Sequence, residues 1–316
     1  MKNIVVFGGG TGLSCLLSGL KLFPVRVTCV IAVSDNGSSS GVLKDELDIP
    51  AVGDIGKVLL SMANTDEDFI ELLSYRFSKS GSLYNHPVRN IMMAALIDLK
   101  GNLAEATKYM CRLLNINGNV LPLTSEKVDL VGRSGKETFY GEEAVSSNMH
   151  HIRKLSYDHD IRICSDITSA IAEADLIVFS PGSLFTSIIP HLIVEDVRNA
   201  LDRSPAPIMY ISNLVTQPGE TEGFKVSDHV RTLNRYLGKK RKVDIVVANK
   251  GSISAEVAGH YLELENKSIV EADEDAIRKE GARLIPDDIF TITDGKIRHD
   301  ALKTAYRIFS YLMEQT

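Results

Sequence analysis

Two hydrophobic rhythms alternate along the chain. Short apolar runs rich in Val and Ile, without polar alternation, fall at Ile4–Phe7, Val25–Val33, Leu176–Ser180, Ile208–Ser212 and Ile245–Ala248. Such runs describe strands buried on both faces, as in a parallel sheet. Between them, apolar residues recur with helical spacing over Leu13–Leu22, Ile55–Met62, Glu67–Phe77, Val88–Leu99, Leu103–Leu114, Asp166–Ala174, Val226–Leu237 and Ala301–Met313. Alternating strands and helices predict a Rossmann-like, doubly wound α/β fold with a mainly parallel sheet. Residues 117–162 have a different texture. Lys127–Val131, Glu137–Tyr140 and Ile152–Leu155 are short and polar, with a turn cluster at Arg133–Lys136. The segment reads as a small β-rich insertion within a single α/β domain spanning residues 1–316.

Composition narrows the function classes. Lys and Arg total 35 against 41 Asp and Glu, a net charge of −6 that argues against a broad nucleic-acid surface. No apolar run approaches the ~18 residues of a membrane span. The four cysteines Cys15, Cys29, Cys111 and Cys164 form no CxxC pair, which disfavours structural zinc and fits reduced thiols in the cytoplasm. Glycine is more telling. Nine of the 23 glycines fall in the first 56 residues, where even spacing would put about four at ordinary usage.

The excess marks loops that follow strands. Gly8-Gly9-Gly10-Thr11-Gly12 links the first strand to the first helix. Glycines let a ligand approach backbone N–H groups, and the helix N-terminus favours an anion. The spacing matches neither the dinucleotide fingerprint nor a Walker loop, so it specifies phosphate rather than one nucleotide. Asp35-Asn36-Gly37-Ser38-Ser39-Ser40-Gly41 follows the second strand and offers a second nest of hydroxyls and amides. Asp35 there suits a ribose hydroxyl or a metal. Val52-Gly53-Asp54-Ile55-Gly56-Lys57 opens a helix. Asp54 reads either as a helix cap or as a carboxylate that binds a cation or acts as a base. Asn85-His86-Pro87-Val88-Arg89-Asn90 combines donors with a titratable ring, and His86, Asn90 and Asp54 are the candidates for catalysis. Later strands end in Pro181-Gly182-Ser183 and in the loop from Asn213 through Thr216 to Thr221. Together these loops would line the carboxyl edge of one sheet, where α/β folds bind ligands. Tyr261 and Arg298-His299-Asp300 add an aromatic face and a guanidinium suited to a base and a diphosphate. His150-His151 and Asp158-His159-Asp160 lack metal-ligand spacing.

In this order, Gly8–Gly12, Asp35-Asn36-Gly37, Gly53-Asp54-Ile55, Pro181–Ser187 and Thr216–Thr221 resemble the YvcK/CofD-like family over nearly the whole chain. The resemblance is greater to the bacterial YvcK branch, the gluconeogenesis factors, than to the transferase branch. The family's usual Pro-Gly-Asp-Ile-Arg-Asn stands here as Val52–Lys57, and its Gly-His-x-x-Gly-Asn as Asn85–Asn90. Asp54, His86 and Asn90 are kept. The YvcK branch implies a nucleotide-sugar ligand of the UDP-sugar type, with NAD and GDP as other nucleotide diphosphates, and a role in gluconeogenic growth and cell shape. The CofD branch implies transfer of a phospholactyl group from a nucleotide-diphosphate donor with Mg²⁺, which Asp35 and Asp54 would hold. The expected ligand contacts are Gly9, Gly10, Thr11, Gly12, Asp35, Asn36, Ser38, Ser39, Ser40, Gly182, Ser183, Asn213, Thr216, Tyr261 and Arg298. A homo-oligomer is compatible with the sequence.

Overall fold

The computed structural model describes residues 1–293 and 295–315, without the side chains of Ser38, Ala255, His260 and Leu264. The strands are β1 (Lys2–Gly8), β2 (Val25–Ile31), β3 (Gly118–Pro122), β4 (Leu130–Ser134), β5 (Glu137–Tyr140), β6 (Lys154–Tyr157), β7 (Leu176–Phe179), β8 (Ile208–Ile211), β9 (Ile245–Asn249), β10 (Arg283–Asp287), β11 (Phe290–Thr293) and β12 (Lys296–His299). The helices are α1 (Gly10–Leu20), α2 (Ser38–Glu46), α3 (Gly53–Met62), α4 (Glu67–Ser74), α5 (Val88–Lys100), α6 (Leu103–Leu113), α7 (Glu142–Ser147), α8 (Asp166–Ala172), α9 (Ile189–Leu192), α10 (Glu195–Arg203), α11 (Val226–Leu237), α12 (Ala255–Glu265), α13 (Glu274–Lys279) and α14 (Ala301–Glu314).

Seven strands form the central sheet, in the order β10-β9-β8-β7-β1-β2-β3, and all six pairings are parallel. The five strands expected from unbroken Val/Ile runs all lie in it. Ile4 to Phe7 and Leu176 to Phe179 are at most 1% exposed, the burial that helices on both faces impose. From β1 the chain winds outward to β3, then returns and winds the other way from β7 to β10. The order therefore reverses between β1 and β7, and that reversal opens a crevice at their carboxyl ends.

Two differences from the sequence reading matter. Gly118–Pro122, expected in the β-rich insertion, pairs with β2 and is the edge strand of the central sheet. The small sheet comprises only β5-β4-β6, antiparallel throughout. The second difference lies after residue 250, where β10, the β11–β12 hairpin, α12 and α13 were not foreseen. Edge strand β10 is short, partly exposed and carries Pro286, so it shows no buried run. The small sheet is tied to the loop side of the large one. Buried Lys44 on α2 donates to the Val128 carbonyl at 2.7 Å and pairs with Asp129.

Candidate functional site

At the crevice, the loops after β1 and β7 meet. Gly10 has φ +66°, the left-handed turn that swings the chain from β1 into α1. At Gly12 an added Cβ would lie 2.3 Å from the Pro181 carbonyl oxygen, so only glycine allows the two loops this approach. Asn213, at the end of β8, fixes the second loop: its side-chain oxygen accepts from the Gly182 amide at 3.0 Å, and its Nδ2 donates to the Gly182 carbonyl at 2.8 Å. Three strand ends thus hold one another around the start of α1.

They wall a cleft of about 580 Å³. Gly9, Gly10, Thr11, Gly12, Gly182, Ser183, Asn213, Thr216 and Arg298 line it, as does Lys267 from the turn after α12. Arg298 arrives on the β11–β12 hairpin. Buried Tyr261 holds that hairpin by accepting a hydrogen bond from the Ile297 amide at 2.6 Å. Tyr261 was expected to offer its ring to a ligand; its hydroxyl instead braces Arg298, and the ring is not in the cleft wall. Beside Arg298, the His299 ring donates to the Ser212 carbonyl at 3.0 Å. Another cleft, of about 690 Å³, lies at the amino ends of β1 and β2, on the edge opposite these loops.

The second strand's loop does something different. Ser39 and Ser40 are buried, and their hydroxyls are occupied. Ser40 accepts from the Gly53 amide, while Ser39 meets His86 Nδ1 at 2.8 Å and accepts from Asn90 at 3.1 Å. The expected nest of serines is thus an internal clasp joining α2 to α3 and α5, with His86 and Asn90 inside it. Ser38's side chain lies outside the description. Asn36 is also structural: its oxygen accepts from the Glu143 amide at 3.3 Å and holds α7 of the insertion. Asp35 accepts from the Gly37 amide.

Asp54 is not the cap of its own helix, which begins after Val52. It reaches across to α1, accepts from the Gly10 amide and pairs with Lys57 at 2.9 Å. A carboxylate therefore takes one of the N-terminal positions open to an anion. Burial pushes its carboxyl above the usual range, against the pull of Lys57. Glu142, at the start of α7, joins Asp35 and Asp54. Burial and then the two neighbouring negative charges push its carboxyl up to about 8. Sequence reasoning passed over Glu142 because acids in a helix's first turn are commonplace. Among the described residues no three His, Cys, Asp or Glu groups form a metal cage by themselves. Mg²⁺ needs none, since one or two carboxylates with phosphate oxygens suffice, and this set fits that demand.

Glu220 lies in the Thr216–Thr221 segment but has no role of its own in the sequence reading. Its buried carboxylate accepts from Ser183 at 2.7 Å, Ser146 at 2.5 Å and Gln217 at 3.0 Å, linking α7 to the loops after β7 and β8. Two imidazoles, His191 under the Gly8 carbonyl and His299, are held neutral by burial, with pKa lowered to about 4. Unfolded histidine titrates near 6.5, so as pH falls from there to about 4 the unfolded chain takes up protons that the folded one refuses. Stability should drop by up to roughly 3 kcal/mol per histidine across that window. Thermal melts of His299→Gln at pH 7 and pH 4.5 test it: the variant should lose less stability on acidification than the parent, and an equal loss would refute the assignment.

A switch-point cleft walled by glycine loops on a seven-stranded parallel sheet defines a Rossmann-like α/β protein. The family model described as 2-phospho-L-lactate transferase CofD matches residues 4–290, and the chain belongs to that YvcK/CofD-like family. A putative gluconeogenesis factor of Thermotoga maritima is 40% identical, covering 96% of this chain and 97% of its own. The gluconeogenesis factor of Bacillus subtilis is 36% identical, covering 99% and 98%. The crystal structure of a UPF0052-family protein from Bacillus halodurans superposes with a TM-score of 0.92 at 35% identity, covering 98% and 99%. No described helix is long and apolar enough to cross a membrane.

Proposed function

We propose that the protein is a cytoplasmic gluconeogenesis factor that binds a nucleotide-diphosphate sugar of the UDP-sugar type, supporting growth on gluconeogenic carbon and cell shape. The observation that carries this reading is the cleft between the loops after β1 and β7, with Arg298 on its far wall. The diphosphate would lie on the amides of Thr11 and Gly12, at the start of α1, where the helix dipole favours negative charge. Arg298 and Lys267 would serve the sugar or base end. Relatives named as gluconeogenesis factors over nearly full length support the gluconeogenesis-factor part of this reading.

A second reading, a CofD-type transferase, is favoured by one observation: Asp35, Asp54 and Glu142 gather beside Gly10. There they would hold Mg²⁺, which when bound neutralises diphosphate oxygens. Asp54 would keep its hold on the Gly10 amide and orient the loop. The Ser39–His86–Asn90 clasp holds the His86 ring through Nδ1, so His86 would move a proton only through Nε2.

Calorimetry with UDP-N-acetylglucosamine, NAD and GDP, with and without Mg²⁺, separates the readings when the mixtures are also analysed for products. Binding without turnover supports the factor; Mg²⁺-dependent consumption of the donor supports the transferase and overturns it. Arg298→Ala should weaken UDP-sugar binding about tenfold, the loss of one charge-assisted contact. Unchanged affinity would remove Arg298 from the ligand.

A further inference from the structure

A cavity of about 970 Å³ lies between the small sheet and α11, outside the loops already described. Its volume falls at the upper end of small-molecule pockets, typically about 300–1,000 Å³. Phe185, Phe224 and Tyr236 give it aromatic walls, with Met149 and Leu155 behind. Its rim carries Arg153, just before β6, Lys154 at the start of β6, and Arg235 from the last turn of α11. Among the described residues none of the three has a carboxylate within ion-pair distance. Arg231, one turn earlier on the same helix, shows the contrast, since Asp228 and Glu280 bind it at 2.7 and 2.8 Å. Glu222, the exposed acid in the wall, is turned to the Gly219 amide. A protein of net charge −6 thus concentrates three unneutralised cations around an aromatic hollow.

We propose that this cavity is a second binding site, for a planar aromatic anion, and that Glu220 couples it to the nucleotide cleft. The aromatic side chains offer faces on which fused rings would stack, and a carboxylate, sulfonate or phosphate would meet the guanidinium groups, which bind such groups in a bidentate manner. Glu220 is the partition. It lines the aromatic cavity, while its hydrogen-bond donors Ser183 and Gln217 line the nucleotide cleft. A ligand that shifts this carboxylate changes the hydroxyl and amide presented on the other side, the differential contact that coupling between sites requires. The coupling rests on the nucleotide reading above; the site itself does not.

The probe is anthraquinone-2,6-disulfonate, titrated calorimetrically into the full chain. It should bind once per chain, also with UDP-N-acetylglucosamine present, and about tenfold more weakly in an Arg153→Gln/Arg235→Gln variant, whose substitutions are exposed and spare the fold. Absence of binding, or affinity unchanged in that variant, overturns the site. Saturating probe should change UDP-N-acetylglucosamine affinity about fivefold or more, within the usual range of coupling energies. Glu220→Gln should remove that change, and the milder Ser146→Ala should reduce it. An unchanged nucleotide-sugar affinity overturns the coupling. Probe binding that depends on the two arginines, with no nucleotide-sugar binding at all, overturns the proposed function and leaves the second site standing.

Discussion

Gly10→Val should abolish nucleotide-sugar binding, by about 100-fold or more, while the protein stays folded. Gly10 stands at φ +66°, where a β-branched residue costs more than the ~1–2 kcal/mol of an ordinary side chain. That is a fraction of the ~5–15 kcal/mol that holds a typical domain. The protein itself leaves room, since a Cβ there would meet only Asp54, at 3.8 and 4.0 Å. The valine methyl groups would enter the space beside the first amides of α1, where the diphosphate is placed. Calorimetry beside a thermal melt reads both effects. Gly10→Ala should show the strain with less of the crowding, so its binding should be intermediate. A folded Gly10→Val protein with normal affinity would remove the glycine loop from the site.

The second large effect is a pH dependence centred on Glu142. Its carboxyl is raised to about 8, so it is mostly protonated at neutral pH. A raised acid contributes stability that is complete below the unfolded value, near 4.3, and is lost as pH climbs through about 8. Glu142→Gln should therefore flatten the decline and stabilise the protein at pH 8.5 by about 2 kcal/mol, discounted for partial solvent access. Divalent cations give the matching test. A cation must displace the Glu142 proton, so Mg²⁺ affinity should rise up to about tenfold per pH unit from pH 6 to 8 and then level off. In Glu142→Gln the rise should vanish. A parent protein whose Mg²⁺ binding ignores pH over that range would exclude Glu142 from the cation's neighbourhood.

The two patterns of apolar spacing carry the central sheet well because a doubly covered strand leaves an unbroken apolar run. They fail at β10, where a sheet edge needs no such run, and at β3, whose Gly118 and Asn119 start resembles a turn. The glycine excess sorts into distinct causes that the sequence does not separate. Gly10 and Gly12 shape the cleft, whereas Gly19 lets α14 pack on α1, with a Cβ there only 2.0 Å from the Ala301 oxygen. The serines after β2 look like an anion nest in one dimension; the partners that occupy them, His86, Asn90 and the Gly53 amide, come from other elements. Glu142 is invisible for the same reason, and Glu220, though inside the Thr216–Thr221 segment, is not singled out there. A carboxylate gains its meaning from what folding brings to it, and each of the two meets at least two groups from more than 30 residues away in the chain.

The measurement that bears most directly on the central claim is a crystal structure of the protein soaked with UDP-N-acetylglucosamine. The diphosphate should appear against the amides of Thr11 and Gly12, between the loops after β1 and β7, with Arg298 at the sugar or base end. Nucleotide-sugar density in the cavity beside Tyr236, at the opposite edge of the sheet, or nowhere would contradict it.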